Sequence, residues 1–277
     1  MGISKVAIIR GKRGHEPVFQ ALDLIDYKNA ISGWRRILVK VNFIAVKTWD
    51  TGATTDPVVV EAIIERLREL PVEVYVVESD ATTTNADKAF EVTGMKEMCA
   101  RNGVECLNLR HEKEKVKIDI HNGEALKKIT VPRIVAESAI ISAAKLKTHR
   151  TTGVTLGMKN MFGLLSDKFK AKYHFKGINK VIVDINTVLR PVLTVIDGFI
   201  GMEGRGPAAG KPVQMDLIIA GTDQVATDST ACRVMGIDPY QIEHIHKAYR
   251  KELGNINDIK LVGERLENVV QVFERAR

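Results

Sequence analysis

Residues 138–165 read SAIISAAKLKTHRTTGVTLGMKNMFGLL, and this stretch carries the strongest indication of the fold. Its apolar first part predicts a buried β-strand that ends near Leu146. After the polar turn KTHRTTG, apolar residues recur at helical spacing, which predicts a helix beginning near Val154. Because the free N–H groups and the dipole of a helix N-terminus favour negative charge, strand, turn and helix together predict an anion site.

Short apolar runs and helical patterns alternate along the rest of the chain. The predicted strands include KVAIIR, RRILVKVNF, VEVYVVE, PVLTVID and MDLIIAG. Asp56 as N-cap and Pro57 at the first helical position begin a clear helix, VVVEAIIERLREL. Further helices are predicted over 87–102, 177–189, 225–235 and 239–253.

This alternation predicts an α/β fold with a mixed or mostly parallel sheet and helices on its faces. The 277 residues, of which 45% are hydrophobic, are enough for a single large domain. Two intimately packed lobes, about 1–135 and 136–277, are the alternative.

Composition argues against several classes of protein. No run of 18 apolar residues occurs, so no membrane-spanning helix is expected, and the N-terminus lacks the pattern of a signal peptide. The three cysteines, Cys99, Cys106 and Cys232, form no CxxC pair. We therefore expect no disulfide framework, no zinc site of that type and no intrinsic iron–sulfur cluster, and we predict a cytoplasmic location.

Positive charge is concentrated in one part of the chain. The formal net charge is +7, and residues 140–180 hold nine lysines and arginines but one acid, Asp167. That window carries +8, so the remainder of the chain sums to −1. Such asymmetry predicts an anionic partner, either a phosphate- or carboxylate-bearing small molecule or a nucleic acid.

The polar turn, the helix after it and two other strand ends provide polar groups for the predicted anion site. Lys147, His149 and Arg150 lie in the polar turn, and Lys159 and Asn160 lie off the apolar stripe of the following helix. Lys40 and Asn42 end another strand, as do Glu78, Ser79 and Asp80. The alternative is a solvated turn with ordinary surface lysines.

The segment KFKAKYHFK, residues 168–176, alternates strictly between two sets of side chains. Four lysines and His174 share one face, and three aromatic residues with Ala171 share the other, which predicts a half-buried strand or extended arm. The lysine face could follow a nucleic-acid backbone or close over an anionic ligand. An edge strand whose lysines prevent aggregation is the alternative.

Four acidic residues near predicted strand ends could bind a divalent cation or act as a general base. They are Asp197, Glu203, Asp223 and Asp228. The alternative is structural, since Asp223 is placed to cap the helix beginning near Val225 and Asp228 lies in its first turn. Between these acids, GFIGMEGRGPAAG (198–210) predicts an irregular glycine-rich connection that could form a wall or lid of the site.

Several of these segments resemble the domain of unknown function family 362 of archaea and bacteria. The similar pieces are KVNF with TGATTDPVVVEAI, the 138–165 stretch, PVLTVIDGFIGMEGRGPAAG and AGTDQVATDSTACRVMGIDP. The resemblance implies no agreed activity, and some relatives carry a ferredoxin-like cysteine-rich extension that has no counterpart in these residues. It does give weight to the polar positions in its motifs, which are Lys147, His149, Lys159, Asn160, His174, Asp197, Glu203, Asp223 and Asp228.

The resulting hypothesis is a small-molecule anion site at the carboxyl ends of the strands, with or without catalysis. Its catalytic candidates are His149, Lys159 and Asp228, and His149 is favoured for proton transfer because an ordinary histidine pKa lies near neutrality. The ligand-binding candidates are Lys147, Asn160, His174, Lys40 and Asn42, and the candidate ligands of a divalent cation are Asp197, Glu203 and Asp223. The rival hypotheses are a nucleic-acid-binding module using 168–176 and a docking partner of an iron–sulfur electron-transfer protein.

Overall fold

A computed structural model describes residues 2–167 and 169–275, and a mixed sheet of nine strands lies at its centre. The strands of the described chain are β1 (Ser4–Arg10), β2 (Arg36–Lys40), β3 (Glu73–Glu78), β4 (Glu105–Asn108), β5 (Lys115–Asp119), β6 (Lys128–Pro132), β7 (Ala139–His149), β8 (Gly153–Thr155), β9 (Leu193–Glu203), β10 (Lys211–Gly221) and β11 (Ile259–Gly263). The order is β11-β1-β10-β9-β7-β2-β3-β4, with β8 paired to β7 and with β5 and β6 forming a separate hairpin. Within the main sheet, β10 and β8 run antiparallel to their neighbours and the other pairings are parallel. The predicted mostly parallel α/β sheet is therefore confirmed.

Helices cover both faces of this sheet, as parallel strands require. They are α1 (Glu16–Leu24), α2 (Tyr27–Ile31), α3 (Pro57–Leu67), α4 (Ala86–Val92), α5 (Met95–Arg101), α6 (Arg133–Ala136), α7 (Gly157–Asn160), α8 (Ile178–Val188), α9 (Gln224–Val234), α10 (Glu243–Arg250) and α11 (Leu266–Val269). Successive side chains of a strand point to opposite faces, so Val6 and Ile8 join one apolar cluster while Ala7 and Ile9 join the other. The first cluster includes residues of α7 to α10, and the second includes residues of α1 to α5.

Most predicted helices occur where their start signals indicated. Asp56 caps α3 by accepting the N–H of Val58 at 3.0 Å, with Pro57 as the first helical residue. The helices predicted over 177–189 and 225–235 correspond to α8 and α9 within one residue. The predicted 87–102 helix is divided at Gly94, whose φ of +76° interrupts helical backbone between α4 and α5. The predicted 239–253 helix consists of a 3₁₀ turn at Pro239–Gln241 followed by α10.

The polar turn after Leu146 was predicted wrongly, because it forms a hairpin. β7 continues to His149 and pairs back onto β8, with Lys147 opposite Thr155 and His149 opposite Gly153. The helix predicted from Val154 begins only at Gly157 and is a single turn, continued by a 3₁₀ turn over Met161–Leu164.

The first six residues of the glycine-rich segment 198–210 belong to strand β9, so only its second part is an irregular connection. Gly198 and Gly201 lie inside β9, where a Cβ atom would approach the carbonyl oxygens of Leu217 and Leu146, respectively, to 2.9 Å. Glycine is needed there because neighbouring backbone packs directly against these positions. The connection proper is limited to residues 204–210, between β9 and β10.

The extended arm predicted at 168–176 is also wrong in the residues that the structure describes, while Lys168 lies outside them. Lys170–Tyr173 form a 3₁₀ turn, and both ends of that turn are buried. Phe169 and Phe175 are exposed instead of packing inward together. No helix of the described chain is long and apolar enough to cross a membrane.

Candidate functional site

The carboxyl ends of β2, β3 and β7 meet at a cavity of about 220 Å³. This is the edge at which open α/β sheets commonly bind ligands. Seven of the eight residues predicted as its basic and amide groups line it: Lys40, Asn42, Lys147, His149, Lys159, Asn160 and His174. The eighth, Arg150, is exposed and does not line the cavity. The other polar residues that line it are Glu78, Ser79, Thr82, Thr83, Thr155 and Lys170.

Lys40 is a buried structural cation at the end of β2. Its Nζ lies 2.8 Å from the carboxylate of Glu78 and also donates to the carbonyl of Val41 at 2.6 Å. Burial lowers the pKa of Lys40, and the Glu78 carboxylate opposes that change. Glu78 in turn accepts backbone N–H groups from Phe43 and Ser79 at 3.0 and 2.9 Å, so the pair links β2 and β3.

Asn160 joins this pair to the strand that carries the basic turn. Its Oδ1 accepts from the Lys40 ammonium and from Asn42 Nδ2, both at 3.1 Å. Its Nδ2 donates to the Lys40 carbonyl at 2.9 Å and to Ser142 Oγ at 3.1 Å. Asn160 is therefore fully used in holding the cavity wall together.

Lys147 is completely buried and donates to the backbone carbonyl of Ala53 at 2.6 Å. It makes no ion pair with a carboxylate in the described residues. Burial holds the pKa of Lys147 well below its usual value, and repulsion from Lys159 and Lys145 adds to the effect.

Lys159 and Lys170 bring two more ammonium groups to the cavity. Lys170 is buried and donates to Ser79 Oγ at 2.6 Å and to the carbonyl of Gly163 at 3.1 Å. Lys159 is half-buried, and within residues 2–167 and 169–275 its Nζ has no hydrogen-bond acceptor. Burial lowers the pKa of each lysine to about 8, and Lys40 contributes to both changes. The alternating pattern at 168–176 did not predict the burial of Lys170, because it places this lysine on the same face as exposed residues.

His149 lies in the cavity wall in a form that disfavours the predicted proton transfer. Its Nδ1 accepts the backbone N–H groups of Thr151 and Thr152 at 3.1 and 3.2 Å, which leaves the proton on Nε2. Burial, together with Lys159 and Lys147, lowers its pKa to about 2. The prediction that His149 transfers protons, which assumed an ordinary histidine pKa, is therefore wrong. His149 is a neutral N–H donor near pH 7.

His174 is exposed, as are Thr82 and Thr83 among the residues that line the cavity. Partial burial lowers its pKa, and Lys159 and Arg150 act in the same direction. It lies just after the 3₁₀ turn that carries Lys170, at the rim of the cavity.

The three carboxylates predicted to share a cation lie far apart. Asp197 pairs with Lys145 at 2.7 Å and accepts the N–H of Asp56, on the sheet face covered by α3. Burial raises its pKa, and the Lys145 ammonium opposes the rise. Glu203 lies six residues further along β9, which is about 20 Å in an extended strand.

Asp223 lies beyond the opposite end of β9, because Gly221 pairs with Thr194. It caps α9 through the N–H groups of Val225 and Ala226 and accepts from Ser4 Oγ at 2.6 Å. In the part of the chain that the structure describes, no three His, Cys, Asp or Glu side chains are grouped to hold a metal ion.

Comparison with known proteins matches the sequence to a family. The model of the family described as domain of unknown function 362 matches residues 37–233, more than two thirds of the chain. The chain belongs to this family. A thylakoid-associated protein of Synechocystis sp. is 26% identical over 220 residues, covering 77% of this chain and 67% of the relative. The family match spans every residue that lines the cavity, from Lys40 to Pro207.

Two glycines of the family segment LGMKNMFG permit close approach at the site. A Cβ at Gly163 would lie 2.6 Å from Lys40 Nζ and 2.7 Å from Glu78 Oε1. A Cβ at Gly157 would lie 2.9 Å from Asp228 Oδ1. Both positions therefore favour glycine because buried charged side chains pack against their backbone.

The carboxyl group of Asp228 occupies the predicted helix N-terminus. Its two oxygens accept the N–H groups of Gly157 and Met158 at 2.7 and 2.8 Å. Burial raises its pKa to about 7, and the two N–H groups oppose this rise. Asp228 does not line the cavity, so it positions α7, which carries Lys159 and Asn160, from behind.

Replacing Asp228 with alanine is expected to lower the free energy of unfolding by about 2–3 kcal/mol, since two buried N–H groups lose their acceptor. The raised pKa means that the folded state retains a proton between about pH 4 and pH 7, so this group's contribution to stability declines as the pH rises through that range. The difference in the free energy of unfolding between wild type and Asp228→Ala should therefore be larger at pH 5.5 than at pH 8. Urea unfolding at both pH values measures it, and the exposed Asp119→Ala is the control. A difference in the free energy of unfolding that increases with pH would contradict the raised pKa of Asp228 in the folded state.

Proposed function

We propose that the cavity binds a small molecule bearing a phosphate or carboxylate group, with Lys159 as the principal contact. The observation that supports this proposal is the charge of the wall. Among the described residues, four lysines, Lys40, Lys147, Lys159 and Lys170, line one small cavity with a single carboxylate, that of Glu78.

The surplus of positive charge in the cavity wall destabilises the protein when no ligand is bound. A buried ammonium group is stable when a counter-charge and hydrogen bonds replace its water, and burial without them lowers its pKa. Lys40 has Glu78, whereas Lys147 and Lys170 have only neutral oxygens and Lys159 has no acceptor in the described chain. An anion of charge −1 or −2 would supply the missing partner.

The remaining polar groups suit the same ligand. The neutral His149 lines the cavity and carries its proton on Nε2, and an N–H group of this kind is the type of preorganised donor that stabilises an oxyanion. If the bound molecule is transformed, Lys159 is the group suited to proton transfer, because its pKa of about 8 lies near the working pH.

A nucleic-acid function receives less support from the geometry. Lys170 points inward to Ser79, and Lys172 pairs with Asp167 at 2.6 Å. The described residues of 168–176 therefore do not present the continuous lysine face on which that hypothesis depended. No specific contact in the part of the chain that the structure describes favours docking to an iron–sulfur protein.

We also propose a cytoplasmic location for the chain. Cys99, Cys106 and Cys232 are free thiols, which is the usual state in a reducing compartment. The thylakoid association is a property of the Synechocystis relative.

The proposal predicts that anion binding weakens as the pH rises through about 8. A bound anion favours the ammonium form of Lys159, so binding takes up a proton wherever the free amine is neutral. Sulfate is a suitable probe, since its own charge is constant over this range. If Lys159 alone contributes, calorimetric affinity at constant ionic strength should fall about 30-fold between pH 7 and pH 9.5.

The same titration decides the proposed function. No binding of sulfate, inorganic phosphate or simple carboxylates at millimolar concentration would overturn it. Binding that is equally strong at both pH values would remove Lys159 as the contact.

A further inference from the structure

The cavity wall has an apolar part in addition to its cationic part. Within the described chain, six apolar residues line the cavity: Phe43, Ile44, Ala81, Phe162, Ala171 and Pro207. All of them except Phe43 are partly exposed. Small-molecule sites are lined mainly by apolar side chains, with a few polar groups that fix the orientation of the ligand. The mixed wall therefore indicates a ligand that has an apolar portion as well as a charge.

The cationic and apolar parts lie at different depths of the cavity. Lys40 and Lys147 belong to strands β2 and β7 and are at most 1% exposed. The apolar residues lie in loops and short turns outside the strands, with Ile44 after β2, Ala81 after β3 and Pro207 in the connection between β9 and β10. A ligand whose charged group is held at the lysines would therefore have its remaining atoms among these loops.

Phe162 lies next to the lysine that is proposed as the principal contact. It comes three residues after Lys159, in the 3₁₀ turn that continues α7, and residues three apart in a helical turn are neighbours on one side. Its ring packs edge-to-face on Tyr173, with centroids 5.5 Å apart, and Lys170 Nζ lies 5.9 Å from its centroid. Ligand atoms that adjoin a group bound by Lys159 would therefore meet a ring whose orientation is already fixed.

The volume of the cavity limits the size of the apolar portion. The cavity measures about 220 Å³. An apolar cavity of about 150 Å³ binds a benzene molecule. The space here is thus sufficient for a body of that size together with one charged group.

We propose that the bound anion is amphipathic, with one carboxylate or phosphate group joined to a compact apolar body of about the size of a benzene ring. The charged group would contact Lys159, and the apolar body would pack against Phe162 and Ile44. This inference rests on the proposed anion-binding function and specifies its substrate class.

The test compares benzenesulfonate with methanesulfonate. Both carry a single negative charge that does not titrate near neutral pH, and they differ only in the body that carries the charge. Calorimetry with the whole chain at pH 7 and constant ionic strength should show that benzenesulfonate binds at least about tenfold more tightly, because its ring is removed from water against the apolar wall.

Ile44→Ser is the first variant, since it removes apolar surface from a partly exposed position. It should reduce the ratio of the two affinities roughly threefold or more, and Phe162→Ala should reduce it further. Val46→Ser is the matched control, because Val46 is an exposed residue of the same loop that does not line the cavity, and its ratio should equal that of wild type. A ratio of affinities is independent of the fraction of folded protein, so partial unfolding of a variant would not imitate the expected change.

The outcomes separate the inference from the proposed function. Equal binding of the two sulfonates by the wild type, or binding of sulfate but of neither sulfonate, would overturn the inference and leave anion binding intact. Failure of all three anions to bind would overturn both. A ratio that is unchanged in Ile44→Ser and Phe162→Ala, or reduced equally in Val46→Ser, would refute the assignment of the apolar part.

Discussion

Lys159→Met is expected to weaken sulfate or phosphate binding by roughly 10- to 100-fold at pH 7. The variant removes one charge-assisted hydrogen bond, a contact of about 1.5–3 kcal/mol. It should also reduce the dependence of affinity on pH, because one of the two cavity amines that titrate near pH 8 is lost. Isothermal titration calorimetry at constant ionic strength measures both effects.

The fold of Lys159→Met should be as stable as that of wild type. Its Nζ has no acceptor in the described protein, and the change relieves repulsion that lowers the pKa values of Lys147 and His149. Lys180→Met is the matched control, since Lys180 is exposed in the same basic window and the change in net charge is identical. Equal loss of affinity in both variants would indicate long-range attraction rather than a direct contact.

Lys40→Met should lower the free energy of unfolding by about 3–5 kcal/mol, because it leaves the buried Glu78 carboxylate without its counter-charge. The double variant Lys40→Met/Glu78→Gln should recover part of this loss, since the uncompensated charge is then gone. Urea unfolding of the wild type, both single variants and the double variant gives the coupling energy.

The surface pair Lys28–Glu69 provides the control for that cycle. Its atoms are 2.6 Å apart, close to the distance in the buried pair, but both side chains are exposed. Lys28→Met should therefore cost less than about 1 kcal/mol. Equal costs for Lys28→Met and Lys40→Met would show that burial of the Lys40–Glu78 pair has no special energetic effect.

Local sequence patterns determined the fold class and the edge of the sheet at which the site lies. The cap at Asp56 and Pro57 placed α3 correctly, because capping depends on residues adjacent in the chain. The alternation of strands and helices predicted a mostly parallel sheet, and strand-end positions predicted that Lys40, Asn42 and Lys147 would meet. Parallel strands bring their carboxyl ends to one edge whatever their sequence, so this part needed no knowledge of contacts.

Local patterns failed where distant segments decide burial. Lys170 belongs to an alternating segment, yet Ser79, which is 91 residues away along the chain, helps to hold it inside the protein. The glycines at 198 and 201 resemble loop residues, but in the sheet they permit neighbouring backbone to approach. Periodicity records which residues can share a face, and the surrounding structure decides what covers that face.

The chemical role of each candidate was likewise decided only by the tertiary structure. The sequence by itself determined that lysines, a histidine and carboxylates lie at strand ends. Packing decided that His149 is a neutral donor and that Asp228 serves the helix N-terminus instead of a ligand. It also placed Asp197 and Glu203 far apart along one long strand. The charge state of a side chain depends on its desolvation, and the sharing of one ligand by several side chains depends on distances between segments remote in sequence. Residue type and spacing along the chain contain neither kind of information.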